Sequence, residues 1–169
     1  MLIRQETQSD YREIHQMIRE AFAGADHADG TEQDLVAELR RGEAFIKELA
    51  LVAEVDGELA GHICFSKAEV GEAEVIVLAP LSVRPKFQRR GVGTALIQEA
   101  HRIAQEEGYQ YSVVLGSEMY YKRAGYLPAS RLEIQAPAGI PEEHFMAVKL
   151  QKEAEPICGV IKYAKEFGI

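Results

Sequence analysis

The hydrophobic pattern opens with a short run at residues 2–6 that reads as a strand. Ser9 and Asp10 then offer a helix cap. Beyond them Tyr11, Ile14, Ile18 and Phe22 recur at spacings of three and four, the mark of an amphipathic helix. The stretch GADHADG at 24–30 is a loop, and Thr31 provides a second cap with Asp34 three residues on and Leu35 and Leu39 on one face. From 49 to 70 two extended runs flank Asp56-Gly57, a hairpin signal. Another extended run covers 75–83, and Pro80 within it removes a backbone donor, as suits an edge, a bulge or a point where pairing stops. A long amphipathic helix runs from Gly91 to Glu107, with Val92, Leu96, Ala100 and Ile103 on one side and Gly108 ending it. Residues 111–117 form a buried strand, 119–126 a short helix closed by Gly125, and 144–150 and 157–163 further strands. The order β-α-α-β-β-β-α-β-α-β-β predicts a mixed α/β (α+β) fold, a largely antiparallel sheet with helices on both faces.

With 169 residues the chain is expected to form a single domain, 1–169, large enough to bury a core without metal or disulfide. No apolar run approaches the roughly 20 residues of a membrane span, and the polar start does not read as a signal peptide. Cys64 and Cys158 both lie in apolar surroundings and are expected to be reduced core thiols of a cytoplasmic protein. The net charge of −8 argues against nucleic-acid and anionic-membrane partners. It suits cationic ligands such as amines, and equally suits solubility.

One segment departs from the acidic background. From Val75 to Gln98 there is no acidic residue, while Arg84, Lys86, Arg89 and Arg90 crowd the loop after the strand. Gly91-Val92-Gly93-Thr94 then opens the long helix. A helix start leaves backbone N–H groups unpaired and carries the positive end of the dipole. Glycines let a ligand approach the backbone, and the flanking arginines add charge, an arrangement suited to a diphosphate. A dinucleotide fold would need a third glycine where Leu96 stands, and a Walker A loop would need a lysine between Gly93 and Thr94.

The run Gln88-Arg89-Arg90-Gly91-Val92-Gly93 resembles the acyl-CoA motif of the GNAT N-acetyltransferases, Q/R-x-x-G-x-G/A. Tyr121-Lys122-Arg123-Ala124-Gly125-Tyr126 is similar to that family's Y-x-x-x-G-F/Y signature, and the tail resembles the YhbS-like branch. The resemblance implies an acetyl-CoA-dependent acyltransferase acting directly on a primary amine of a small molecule or peptide. It implies that the strand ending at Val83 and the strand 111–117 splay apart. Leu81, Ser82 and Val83 would then line the pantetheine arm, one of their N–H groups holding the acetyl carbonyl. Gln88, Arg89, Arg90, Gly91, Val92, Gly93 and Thr94 would wrap the diphosphate. Tyr121 would protonate the leaving thiolate, a role for which a phenol near pKa 10 is suited. Tyr120, about 100° away on the same turn, competes for it. Where many members carry an asparagine, this chain has Gly116-Ser117-Glu118, so Ser117 stands in for that contact.

The general base is open among Glu32, His62, Glu72 and Glu118, His62 reading as a half-buried structural residue of an alternating strand. Asp26, His27, Asp29 and Glu32 lack the spacing of a metal site and read as a solvated loop, so no metal is expected. The alternatives to an enzyme are a catalytically inactive CoA-binding sensor or regulatory domain, and a non-enzymatic interaction module. The C-terminal strand offers an edge for a second subunit, leaving a homodimer open.

Overall fold

A computed structural model describes residues 1–25 and 28–169. Strands β1 (Leu2–Gln5), β2 (Leu51–Val55), β3 (Glu58–Val70), β4 (Ala73–Val83), β5 (Tyr111–Leu115), β6 (Leu127–Pro128), β7 (Ile134–Gln135), β8 (Phe145–Lys149) and β9 (Gly159–Lys162) alternate with helices α1 (Tyr11–Phe22), α2 (Glu32–Arg41), α3 (Val92–Glu106) and α4 (Glu118–Lys122). The main sheet runs β1-β2-β3-β4-β5-β8-β6, and β9 pairs with both β3 and β7. Pairing is antiparallel except between β4 and β5 and between β7 and β9. This is the expected mixed, largely antiparallel sheet. The C-terminal strand, read as an edge for a second subunit, is instead engaged within the chain, because β3 runs on past β2 and offers β9 a free edge.

The helices cover both faces. On one, Ile14, Met17 and Ile18 of α1 and Val36 of α2 pack over Val52, Leu59 and Cys64. On the other, Leu96, Ile97, Ala100 and Ala104 of α3 pack over Leu51, Ile63, Phe65, Ile76 and Leu78. A third cluster joins Val75, Val77, Val113 and Phe145 to Ile134 and Ile161. In α2 the buried stripe is Val36 and Leu39, with Leu35 only half-buried.

Asp10 and Thr31 stand at the N-caps of α1 and α2 as expected, but neither side chain bonds forward into its helix. Thr7, not Ser9, begins the first helical turn, where the Asp10 carboxylate accepts from the Thr7 N–H at 2.7 Å and from its hydroxyl at 3.1 Å. At α2 the Thr31 hydroxyl turns back to Asp29 at 2.6 Å instead of capping forward. Asp56-Gly57 makes the expected hairpin with both residues at positive φ, 52° and 78°. Cys64 is buried and its thiol donates to the Ala79 carbonyl at 3.2 Å, whereas Cys158 is exposed, contrary to its reading as a core thiol.

A polar knot crosses the α1/α2 layer. Arg40 on α2 grips Glu6 through two bonds of 2.8 and 2.9 Å, and His62 Nε2 meets the same carboxylate at 2.8 Å. Burial alone would raise the Glu6 carboxyl, but the bonds from His62 and Arg40 outweigh it and leave it below its usual range. Burial lowers His62, against the pull of Glu6. His62 was read as half-buried. It is fully buried, because Glu6 and Arg40 come from two other elements to cover it.

Arg40→Ala is expected to cost roughly 3 kcal/mol in urea denaturation, since Glu6 would remain buried without its guanidinium. Stability is expected to depend on pH in one direction. In the unfolded chain His62 takes up a proton below about pH 6.5, and in the folded chain only at lower pH. The unfolded state then binds more protons, so the urea midpoint falls as pH drops below about 6.5. Asp10, held at about 2 chiefly by its bond from Arg4, adds a second loss below about pH 4. A midpoint that rises on acidification contradicts this account.

Candidate functional site

The site begins with a fault in the central sheet. On β4, Ile76 and Leu78 face α3, and so do Leu81 and Val83. Strict alternation would turn 81 and 83 the other way. Between the pairs Phe65–Leu78 and Ile63–Leu81, β4 places two residues, Ala79 and Pro80, against one on β3, a bulge that resets the phase. At the same point the parallel partner is lost. β5 pairs with β4 through Ile76–Ser112, Val77–Val113 and Leu78–Val114 and no further. From Ala79 to Val83 β4 is flanked by β3 alone, and a cleft opens along its other edge.

At the end of β4 the chain makes a turn in which Arg89 (φ 63°) and Gly91 (φ 81°) adopt left-handed angles, and α3 begins at Val92. Such alternating handedness points successive N–H groups inward as an anion nest. Gly61 on β3 lets the helix start sit close to the sheet. A Cβ there would come within 2.9 Å of Val92 Cγ1, 3.0 Å of Leu96 Cδ1 and 3.1 Å of the Ser82 carbonyl.

The opposite wall comes from α4. The Ser117 hydroxyl accepts the Tyr120 N–H at 3.3 Å and caps this short helix. Tyr120 lays its hydroxyl over Gly93 in the first turn of α3, in the space a side chain at 93 would take. Tyr121 lies on Gly116, just past β5, where a Cβ would meet its ring at 2.5 Å. The two rings meet edge to face at 5.0 Å, and Tyr121 meets Tyr126 likewise at 5.7 Å. The Tyr126 hydroxyl is fixed by Ser112 Oγ at 2.8 Å and His101 Nε2 at 3.0 Å, with His101 pushed down to about 4 by burial. Burial raises the Tyr120 and Tyr121 phenols, so both keep their protons at neutral pH.

These parts enclose a cavity of about 600 Å³. Leu81, Val83, Gln88, Arg89, Gly91, Val92, Gly93, Thr94, Tyr120 and Tyr121 all line it. Three expected residues do not. Ser82 points to the α1/α2 face, Ser117 is engaged as a cap, and the Arg90 guanidinium sits 5.8 Å from the Phe87 ring. The basic loop also divides. Arg84 turns away to Glu58, Glu20 and Glu13 at 3.2, 3.4 and 3.6 Å, and Lys86 reaches Glu58 at 2.6 Å. These pairs line a separate groove of about 760 Å³ outside α1, where the acids already hold cations. Ala21 and Phe22 at the end of α1 and Ala25 beyond it, together with Phe87 and Arg123, complete the cavity. Phe22 was visible as the last residue of an apolar stripe, but nothing local marks its turn toward the cavity.

None of Glu32, Glu72 and Glu118 lines the cavity, and Glu72 sits at the far β3–β4 turn. Of the acidic loop, Asp26 and His27 lie outside the described residues, and Asp29 binds Thr31. Among the described residues no helix is long and apolar enough to cross a membrane.

Residues 10–126 match the profile of the Acetyltransferase (GNAT) family. The chain is 35% identical to the uncharacterised N-acetyltransferase YjhQ of Escherichia coli K12 over 164 residues, 92% of this chain and 88% of that one. The structure of E. coli YhbS, a GNAT family N-acetyltransferase in complex with CoA, superposes with a TM-score of 0.89 at 27% identity, covering 99% of this chain and 92% of that one. A GNAT family acetyltransferase from Brucella melitensis in complex with acetyl-CoA gives 0.81 at 31% identity, covering 98% and 97%.

Gly61→Ala is expected to cost about 1–3 kcal/mol by thermal or urea denaturation, because the start of α3 must lift off the sheet. Gly57→Ala, with open space around it, is expected to cost less than Gly61→Ala despite its positive φ.

Proposed function

The chain belongs to the GNAT acetyltransferase family and is an acyltransferase with acetyl-CoA as cosubstrate, and from that premise we propose how its own residues carry out the transfer and on what. The acceptor is a primary amine of a small molecule or peptide, acylated directly. The observation that carries this reading is the opening of β4 and β5 beyond Leu78 and Val114, with the nest at 89–94 at one end and two phenols across the gap.

The residues fit the cosubstrate. The N–H groups of Val92, Gly93 and Thr94 lie in the first turn of α3, unpaired within the helix, and hold the diphosphate together with Arg89 and Gly91. Arg90 contributes charge from the rim. The free edge of β4 at Leu81–Val83 lines the pantetheine arm, and one of its N–H groups polarises the acetyl carbonyl. Ser117 acts by capping α4, which holds the tyrosines. Thioester aminolysis needs an activated carbonyl, a neutral amine and a proton for sulfur, and no covalent enzyme intermediate. Tyr121 supplies that proton. It lies on Gly116 just past β5 and lines the cavity with Leu81 and Val83, while Tyr120 lies over the helix start, nearer the diphosphate. The free thiols fit a cytoplasmic location, where they stay reduced.

Acetyl-CoA at one hundred times its dissociation constant is expected to stabilise the protein by about 2.7 kcal/mol, a rise of roughly 5–10 °C in Tm. Gly93→Asp abolishes that rise, since it displaces Tyr120 and sets a carboxylate against the diphosphate. Tyr121→Phe lowers kcat about 10²-fold with little change in KM for acetyl-CoA. Loss of turnover in Tyr120→Phe with Tyr121→Phe silent reassigns the acid. A thiol-release screen over polyamines, aminoglycosides, simple amines and peptide N-termini identifies the acceptor, and no release with any of them overturns the reading.

A further inference from the structure

Tyr120 lines the cavity, yet the acyl-transfer reading gives its hydroxyl no task. That hydroxyl rests over Gly93, where a β-carbon would collide with it, and the same β-carbon would lie 3.6 Å from Leu81 Cδ2. The phenol oxygen therefore stands where two parts of the cavity meet, the first turn of α3 and the open edge of β4. It makes no hydrogen bond among the described residues. A phenylalanine would fill the same space against Gly93 and Tyr121. A tyrosine hydroxyl set among apolar groups normally finds a partner, so this one points to a group outside the chain.

What that oxygen can do follows from its surroundings. Burial raises the phenol, so at neutral pH it is protonated and offers an O–H. It lies over the end of α3 that carries the positive dipole and the unpaired N–H groups of Val92, Gly93 and Thr94. An O–H beside such N–H donors is complementary to an anion with several oxygens. Arg123, three residues on at the end of α4, also lines the cavity, and its charge is felt by the phenol. Unlike Arg84, Arg123 meets no carboxylate among the described residues. The short helix that presents both is held by the Ser117 cap and by Tyr121, packed on Gly116 and Tyr126.

We propose that α4 forms a second wall of the diphosphate site, the Tyr120 hydroxyl donating to a diphosphate oxygen of the cosubstrate and Arg123 adding charge beside it. This role rests on the placing of the diphosphate at residues 89–94 in the acyl-transfer reading above. The nest holds the diphosphate from one side and the phenol from the other. Because Leu81 adjoins the same point, the oxygen that Tyr120 meets belongs to the pantetheine end of the diphosphate. The adjacent tyrosines then have separate tasks. Tyr120 binds the diphosphate and Tyr121 gives its proton to the sulfur, and their edge-to-face contact at 5.0 Å ties the seating of one to the placement of the other.

Calorimetric titration of the full chain tests this. Tyr120→Phe is expected to bind CoA about 10-fold more weakly than the wild type, with the Tm of the free protein held. Dephospho-CoA, which lacks the 3′-phosphate but keeps the diphosphate, loses the same factor. Arg123→Gln loses about 3-fold with both ligands, as suits an exposed charge, and Arg123→Lys recovers most of it. In thiol release, the ratio of kcat/KM for acetyl-CoA to that for S-acetylpantetheine, which has no diphosphate, falls about 10-fold in Tyr120→Phe. An unchanged ratio with both rates lowered alike marks a general loosening and overturns the proposal. So does wild-type affinity for CoA in Tyr120→Phe, or a loss seen with CoA and absent with dephospho-CoA. Wild-type affinity in Arg123→Gln overturns the part given to Arg123. CoA binding that is lost in Gly93→Asp but intact in Tyr120→Phe overturns the second wall alone and leaves the nest standing. CoA binding undiminished in Gly93→Asp overturns the placing of the diphosphate, and this proposal with it.

Discussion

A strand in the middle of a sheet has backbone donors and acceptors along both edges, and each buried one needs a partner. Between Leu78 and Val83, β4 has β3 on one side and no strand on the other. The rest of the site is arranged around that unpaired edge. The bulge at Ala79-Pro80 turns Leu81 and Val83 toward α3, and Pro80 brings no backbone donor to this stretch. The helix start, brought down onto Gly61, stands beside the edge at one end, and α4 stands across it. In the proposed reading, the groups left open by the sheet are the ones that bind the cosubstrate and polarise its carbonyl.

Features carried by local spacing were legible in the sequence. The stripes of α1 and α3, the Asp56-Gly57 hairpin, the broken strand at Pro80 and the glycine turn at 91–93 each follow from neighbours in the chain, and each appears in the fold. What was not legible depends on partners remote in sequence. The arginines and lysine of the basic loop look alike on paper. Arg84 and Lys86 are drawn off by Glu13, Glu20 and Glu58, which come from α1 and the start of β3. The full burial of His62 depends on Glu6 and Arg40, 56 residues before it in one case. The short pairings of β6 and β7, two residues each, carry no periodicity to read. Cys158 shows the limit of composition, since apolar neighbours in sequence did not bury it.

The two faces of the sheet are built differently. Under α3 the packing is almost wholly apolar, and the polar chain His101–Tyr126–Ser112 holds the ring on which Tyr121 leans. Under α1 and α2 charge is buried, and Arg40 also lies 3.8 Å above the Tyr11 ring, tying both helices to the same carboxylate. A buried ion pair is a weak source of net stability but a strict one of geometry, because a shifted helix would strand a charge. The end of α1, which supplies Phe22 to the cavity, is located in part by this knot.

The pairing of β9 with β3 and β7 bears on how the chain is made. Glu69 and Val70 find their partners at Lys162 and Ile161, more than ninety positions later. During synthesis, therefore, the first four strands and α3 can assemble while the edge of β3 and the apolar side of Val70 stay bare. That interval, ending only when residues 159–163 emerge from the ribosome, is when a nascent chain is most open to sticking to its neighbours. A slow codon run or a stall between β5 and β9 would lengthen it.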